Sequence, residues 1–214
     1  ERRVLDGLFG KQNKKAIKES ILRIIFDGLE PAFRSLRELR KKWDDKNIPE
    51  REKRQHAENV YRYLTGAFKD RFQYTAKLMG YNIGFLFQPQ KNFEDGCKLF
   101  LKSYPQIDPE FVEVLKNDRA AWSQILIDVR NNAIDHAAEN DLSYIKNFDK
   151  HLTLDSVERI FDNCWRAIED YLAVFIVHET NSKYGHILRE LPEYQKNRNH
   201  PERFGWFIKQ TKTQ

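Results

Sequence analysis

Cysteine, glycine and proline are all scarce in this chain. Cys97 and Cys164 are the only cysteines in 214 residues, too few for a disulfide framework and without the paired spacing of a structural zinc site, so a reducing, cytoplasmic setting is expected. Nine glycines and seven prolines leave little material for the many turns of an all-β domain. No apolar run reaches the roughly 18 to 20 residues that span a bilayer, and no membrane partner is expected. The opening Glu1-Arg2-Arg3 is not followed by a signal-like apolar core, and the missing initiator Met suggests a trimmed start.

Motifs of several enzyme classes are absent as well. There is no Walker A loop, no G-x-G-x-x-G and no G-x-S-x-G nucleophile elbow. His56, His151, His186 and His200 have no ligand spacing with Cys, Asp or Glu, and the Glu-x-x-His pairs of di-iron bundles do not occur. No metal and no cofactor are expected.

What the chain does have is helical periodicity. Hydrophobic residues make up 40% and charged residues 32%, a balance suited to long amphipathic helices. From about Lys14 to Trp43, residues Ile17, Ile21, Ile24, Ile25, Leu29, Phe33, Leu36 and Trp43 recur at helical steps, with Pro31 expected to break or kink the run. Asn47-Ile48-Pro49-Glu50 reads as a turn into a second long helix that reaches about Met79. Gly80 to Gln90 reads as a packed aromatic loop, followed by a short helix near Phe93 to Ser103. Asp108-Pro109-Glu110 supplies a cap for a helix running to about Ala137, with Trp122, Leu126, Val129 and Ala133 as its apolar stripe. Asp155 and Glu158 read as a capping box for a last helix ending near Glu179. The expected fold is all-α, one domain over residues 1–214. An up-and-down bundle would comprise a helical hairpin (1–80), a helix pair (108–180) and an irregular C-terminal arm (181–214).

Charge is unevenly spread. Residues 1–100 carry 22 Lys and Arg against 14 Asp and Glu, residues 101–185 carry 9 against 15, and residues 186–214 carry 6 against 3. A polyanion would be drawn to the N-terminal half and the tail. Arg34, Arg37, Arg40, Lys41 and Lys42 are spaced to track a phosphate backbone, though the same run also reads as a solvated helix face. In the tail, Arg198, His200 and Arg203 among Tyr194, Phe204 and Trp206 read either as a surface for single-stranded RNA or as an arm pinned to the bundle. RNA contacts are therefore expected at Arg34, Arg37, Lys41, Arg198 and Arg203.

The most specific string is Arg130-Asn131-Asn132-Ala133-Ile134-Asp135-His136. It offers a fixed cation and a group that titrates near neutral pH, two parts needed for metal-free cleavage of a phosphodiester. On an ideal helix His136 stands about 240° from Arg130, so the two flank the apolar stripe from opposite sides. Asn132 and His136 share a face four residues apart, as do Asn131 and Asp135, which suits them to supporting roles. A single helix does not bring Arg130 and His136 together easily, whereas two copies of it packed about a two-fold axis do.

This stretch resembles the R-x(4–6)-H motif of the HEPN (higher eukaryote and prokaryote nucleotide-binding) superfamily, with Arg130, the polar Asn131 and His136 in the motif positions. The resemblance covers seven residues and has five between its ends, where four is the commonest spacing. It implies a helical bundle that dimerises through the motif helix and acts as a metal-independent endoribonuclease in a toxin or antiphage setting. Under it His136 is a general base or acid, Arg130 stabilises charge on phosphorus, and an antitoxin or other protein is a further partner. Some members are inactive, so a silent module that binds RNA, a nucleotide or a protein is the alternative. Arg, Asn, Asp and His are also ordinary residues at the polar end of a helix.

Overall fold

The computed structural model describes residues 10–105, 107, 110–130, 150–183, 186–190 and 204–208. These residues form helices α1 (Gly10–Ile24), α2 (Glu30–Lys42), α3 (Glu50–Thr65), α4 (Gln73–Leu78), α5 (Gln90–Ser103), α6 (Glu110–Asp118), α7 (Gln124–Asp128) and α8 (Leu154–Lys183). Two strands complete the order, β1 (His186–Glu190) and β2 (Phe204–Ile208). The fold is all-α in its body, as the periodicity predicts. The arm is more regular than expected, because β1 and β2 pair antiparallel with His186 opposite Ile208 and Glu190 opposite Phe204. The apolar and aromatic residues of Ile187-Leu188 and Trp206-Phe207-Ile208 suit such a ladder.

Long helices here are continued through π-helical turns. α1 passes through Ile25–Leu29 into α2, α3 through Gly66–Phe72 into α4, and α6 through Arg119–Ser123 into α7. The first of these explains how the helix survives Pro31, which stands in the first turn of α2. Proline lacks an amide hydrogen and its ring crowds the carbonyl four residues back, and a wider turn just before it absorbs both problems. The wider turn also rotates α2 about its own axis relative to α1. In α2 the buried stripe is Ala32, Leu36 and Leu39, continuing from Leu29, while Phe33, expected on the apolar face, is 44% exposed.

The two leading π turns lie against each other. Gly28 in the first packs so closely on Ala67 in the second that a β-carbon at position 28 would collide with the Ala67 side chain and backbone. Close approach there requires glycine. At the far end of the hairpin, Asp45 accepts the Asn47 amide hydrogen at 2.8 Å, and Pro49 accepts the Glu52 amide at 2.9 Å, setting the turn into α3.

Phe68, on the second π turn, is the hub of the core. Its ring lies 4.7 Å from Trp122, 5.0 Å from Phe72, 5.5 Å from Phe87 and 5.8 Å from Tyr171. It therefore ties the hairpin, the loop after it, the α6–α7 helix and α8 into one core. α8 packs against both α2 and α3. Its N-terminus departs from the expected capping box, since Thr153 Oγ1 accepts the Ser156 amide hydrogen at 3.4 Å and Glu158 pairs instead with Arg40. No helix among the described residues is long and apolar enough to cross a membrane.

Candidate functional site

The helix carrying Arg130 is anchored by the stripe that the sequence predicts. Trp122, Leu126 and Val129 are buried in the core, and the helix is further fixed by Phe111 set edge-on to Tyr171 of α8 at 5.4 Å. Arg130 comes directly after Val129 and is half-buried. The Arg130 backbone thus continues directly from a turn packed into the core. Ala133 and the remaining motif residues, Asn131, Asn132, Asp135 and His136, lie outside the described residues, as do Arg198 and Arg203.

Polar groups gather where this helix meets the start of α8. Gln124 Nε2 donates to Asp128 Oδ1 at 2.7 Å. The buried Tyr61 of α3 donates from its hydroxyl to the His151 carbonyl at 2.7 Å, fixing the chain just ahead of α8. Burial pushes the His151 imidazole below its usual pKa, Lys150 and Arg159 push the same way, and the Asp128 carboxylate opposes them. His151 is therefore a neutral imidazole at neutral pH, in the electrostatic neighbourhood of Asp128, two residues before Arg130. Nothing in the sequence separates this histidine from the others, because its setting depends on Tyr61 and Arg159 from distant helices.

Three further polar clusters serve the fold. Tyr171 donates to Asp118 Oδ2 at 2.7 Å inside the core. Arg119 is 6% exposed; it donates to the Leu86 carbonyl at 2.5 Å and the Gln88 carbonyl at 2.8 Å, with its guanidinium 5.3 Å from the centre of the Phe93 ring. It holds the aromatic loop against α6–α7, a role for a buried cation that needs no ligand. Tyr81 bonds His178 Nδ1 at 2.5 Å and Glu179 Oε1 at 3.3 Å, which makes His178 a half-buried structural residue.

The basic run on α2 is largely paired. Arg34 meets Glu30 at 2.9 Å, Lys41 meets Glu38 at 2.7 Å, Lys42 meets Glu52 at 2.6 Å, and Arg40 bonds Glu158 of α8. Arg37 is exposed and takes no part in these four pairs. Exposed pairs of this kind are weak and exchange readily with other anions. Cys97 and Cys164 are both buried free thiols, their pKa values raised by burial. Among the described residues no three His, Cys, Asp or Glu side chains are grouped to hold a metal ion.

No family model, curated protein or solved structure matches the chain. Its functional reading rests on its own residues.

Proposed function

We propose that this chain is a HEPN-like, metal-independent endoribonuclease, working as a homodimer through the helix that carries Arg130 and His136 in a toxin or antiphage setting. The observation that supports it is the placement of Arg130: a half-buried cation directly following a helix locked into the core by Trp122, Leu126 and Val129. A preorganised cation stabilises a transition state because it does not have to reorganise as charge develops.

In this reading the imidazole of His136 takes the proton of a ribose 2′-hydroxyl, or gives one to the departing 5′-oxygen, and Arg130 neutralises the charge that builds on phosphorus. The oxygen–phosphorus bond forms as the phosphorus–5′-oxygen bond breaks, leaving a 2′,3′-cyclic phosphate and a 5′-hydroxyl. Asn131 holds the phosphate or Arg130, while Asn132 and Asp135 orient their neighbours. DNA is spared because it lacks the attacking hydroxyl. RNA is drawn in by the basic N-terminal half and tail, with Arg34, Arg37, Lys41, Arg198 and Arg203 as contacts.

The test is incubation of purified protein with single-stranded RNA in the presence of a chelator. Wild type is expected to leave cyclic-phosphate ends, and Arg130→Ala and His136→Ala to leave the RNA intact. Equal cutting by all three, or cutting that stops on chelation, sinks the proposal.

A further inference from the structure

A surface helix ordinarily turns its polar residues outward. α1 does so in its first turns and then stops. Its buried edge is Ile17, Ser20 and Ile24. Taking Leu22 as zero at about 100° per residue, these three lie about 140° to 160° away, while Lys15, Lys18, Ile25 and Phe26 fall within about 60° of it. The outward ridge therefore begins with exposed lysines and ends, as α1 enters the first π turn, in Leu22, Ile25 and Phe26, which are 40%, 38% and 59% exposed.

The helix is also basic. α1 contains Lys11, Lys14, Lys15, Lys18 and Arg23 against the carboxylate of Glu19, and Glu19 is paired with Lys15 at 3.9 Å. On the flank toward Arg23, Asp27 of the π turn is held by Arg71 at 3.2 Å. A further carboxylate on that flank, Asp70, lines a hollow of about 290 Å³ with Ser20, Arg23, Arg71 and Tyr74. Tyr74 itself is 55% exposed.

Cations alone would suit a polyanion such as RNA. Leu22 and Ile25 cannot stack on bases and gain nothing from a phosphate backbone, so the ridge calls for a partner that is anionic and apolar at once. A protein would need a socket shaped to receive three side chains. An anionic bilayer needs no such shape: its headgroups take the lysines, whose stems reach up to the phosphates, while the apolar side chains enter the hydrocarbon boundary. A single helix presents the convex ridge that this requires, and Tyr74 stands beside it where an aromatic ring meets headgroups. The lack of a spanning run, which led to the expectation of no membrane partner, does not bear on such docking. A helix lying in the interface needs one apolar edge, not about 20 continuous apolar residues.

We infer that the outward ridge of α1 docks on an anionic lipid bilayer, lying in the interface plane with Lys15 and Lys18 against lipid phosphates and Leu22, Ile25 and Phe26 inserted below them. The ridge is on a different helix from Arg130, and its cations are not the α2 and tail residues assigned to RNA. The inference therefore goes beyond the function proposed above and does not rest on it.

The test is sedimentation of the full chain with vesicles of phosphatidylcholine alone and of phosphatidylcholine with about one third phosphatidylserine. The anionic vesicles are expected to carry the protein down and the neutral ones to leave it in solution, with the difference shrinking as salt screens the lysines. Lys15→Gln with Lys18→Gln weakens binding about thirtyfold, at roughly fivefold per cation near an anionic surface. Leu22→Ser, Ile25→Ser and Phe26→Ser together weaken it at least about tenfold while keeping a cooperative melt, since all three side chains are exposed. A polarity-sensitive dye on Phe26→Cys, for which the buried Cys97 and Cys164 do not compete, shifts to the blue on anionic vesicles. Failure to sediment with those vesicles overturns the inference, as does a dye that stays in water. An apolar variant that binds vesicles as wild type does also overturns it, by showing adsorption through charge alone; if that variant loses single-stranded RNA instead, the ridge belongs to RNA. RNA cleavage by a protein that ignores vesicles keeps the ribonuclease and discards the membrane surface, and vesicle binding with RNA left intact does the reverse.

Discussion

Tyr171 donates its hydroxyl hydrogen to Asp118 Oδ2 at 2.7 Å, in a core otherwise lined by Phe68, Phe72 and Phe111. Burial raises the Asp118 pKa above the ordinary carboxylate range, and the hydrogen bond it accepts from Tyr171 pulls it back only in part. A carboxyl whose folded pKa is raised favours the protonated chain, so it costs stability as pH rises from the ordinary Asp range through the folded value. Asp118→Asn keeps an oxygen for Tyr171 and carries no charge. Urea melts are expected to show the variant gaining on wild type as pH rises from about 4 to 8; a difference that stays flat across that span defeats the assignment.

His151 supplies a slope of the other kind. Its folded pKa is lowered, by burial first and by Lys150 next, so the cationic form is disfavoured in the folded chain. Stability is unaffected while the imidazole is neutral in both states, and is lost as pH falls below about 6.5 toward the folded value. Replacing it with Gln removes that loss. The Tyr61 hydrogen bond goes to the backbone of residue 151 and survives the change. Melts from about pH 7.5 down to 5.5 are expected to show wild type falling behind His151→Gln, and parallel curves would count against the burial of this ring.

The contact of Gly28 with Ala67 is open to a double-mutant cycle. Gly28→Ala forces a methyl group onto Ala67, an overpacking expected to cost about 1–3 kcal/mol. Ala67→Gly alone costs about 1 kcal/mol from helix propensity. Combined, they should cost less than the two added together, because the second change removes the closest of the clashes that the first creates, leaving only the backbone contact. Simple additivity in urea melts would mean that the two π turns do not touch as described.

The helices are legible in the sequence because burial imposes its period directly on residue choice. Trp122, Leu126 and Val129 fall where the stripe predicts, and Pro49 opens α3 as its position implies. Phe33 and Glu158 depart from their local patterns because tertiary structure intervenes. A π turn is invisible in a pattern of 3.6-residue steps, so nothing in the spacing shows Phe33 rotating out to meet Phe161. Glu158 has the spacing of a capping box, and only the approach of α2 gives it Arg40 instead. The strands of the arm are short, and their pairing spans thirteen intervening residues, 191–203, beyond the reach of local pattern. Arg130 is the reverse case: its spacing to His136 is plain in the chain, while the setting of nearby His151 against Tyr61 and Asp128 depends entirely on tertiary packing.

Whether Arg130 and His136 act across two chains is decided by mixing inactive variants. Suppose each site draws Arg130 from one copy and His136 from the other. In a mixed dimer of Arg130→Ala with His136→Ala, one site then loses both residues and the other keeps both. Random exchange makes about half of the dimers mixed, with one of two sites intact, so the mixture should regain roughly one quarter of wild-type cleavage per chain. If both residues come from the same chain, every site in every dimer lacks one of them and mixing restores nothing. The helical wheel favours the first outcome, because about 240° of rotation separates the two side chains on their own helix. Cleavage by either variant before mixing would mean that the residue it lacks is not required.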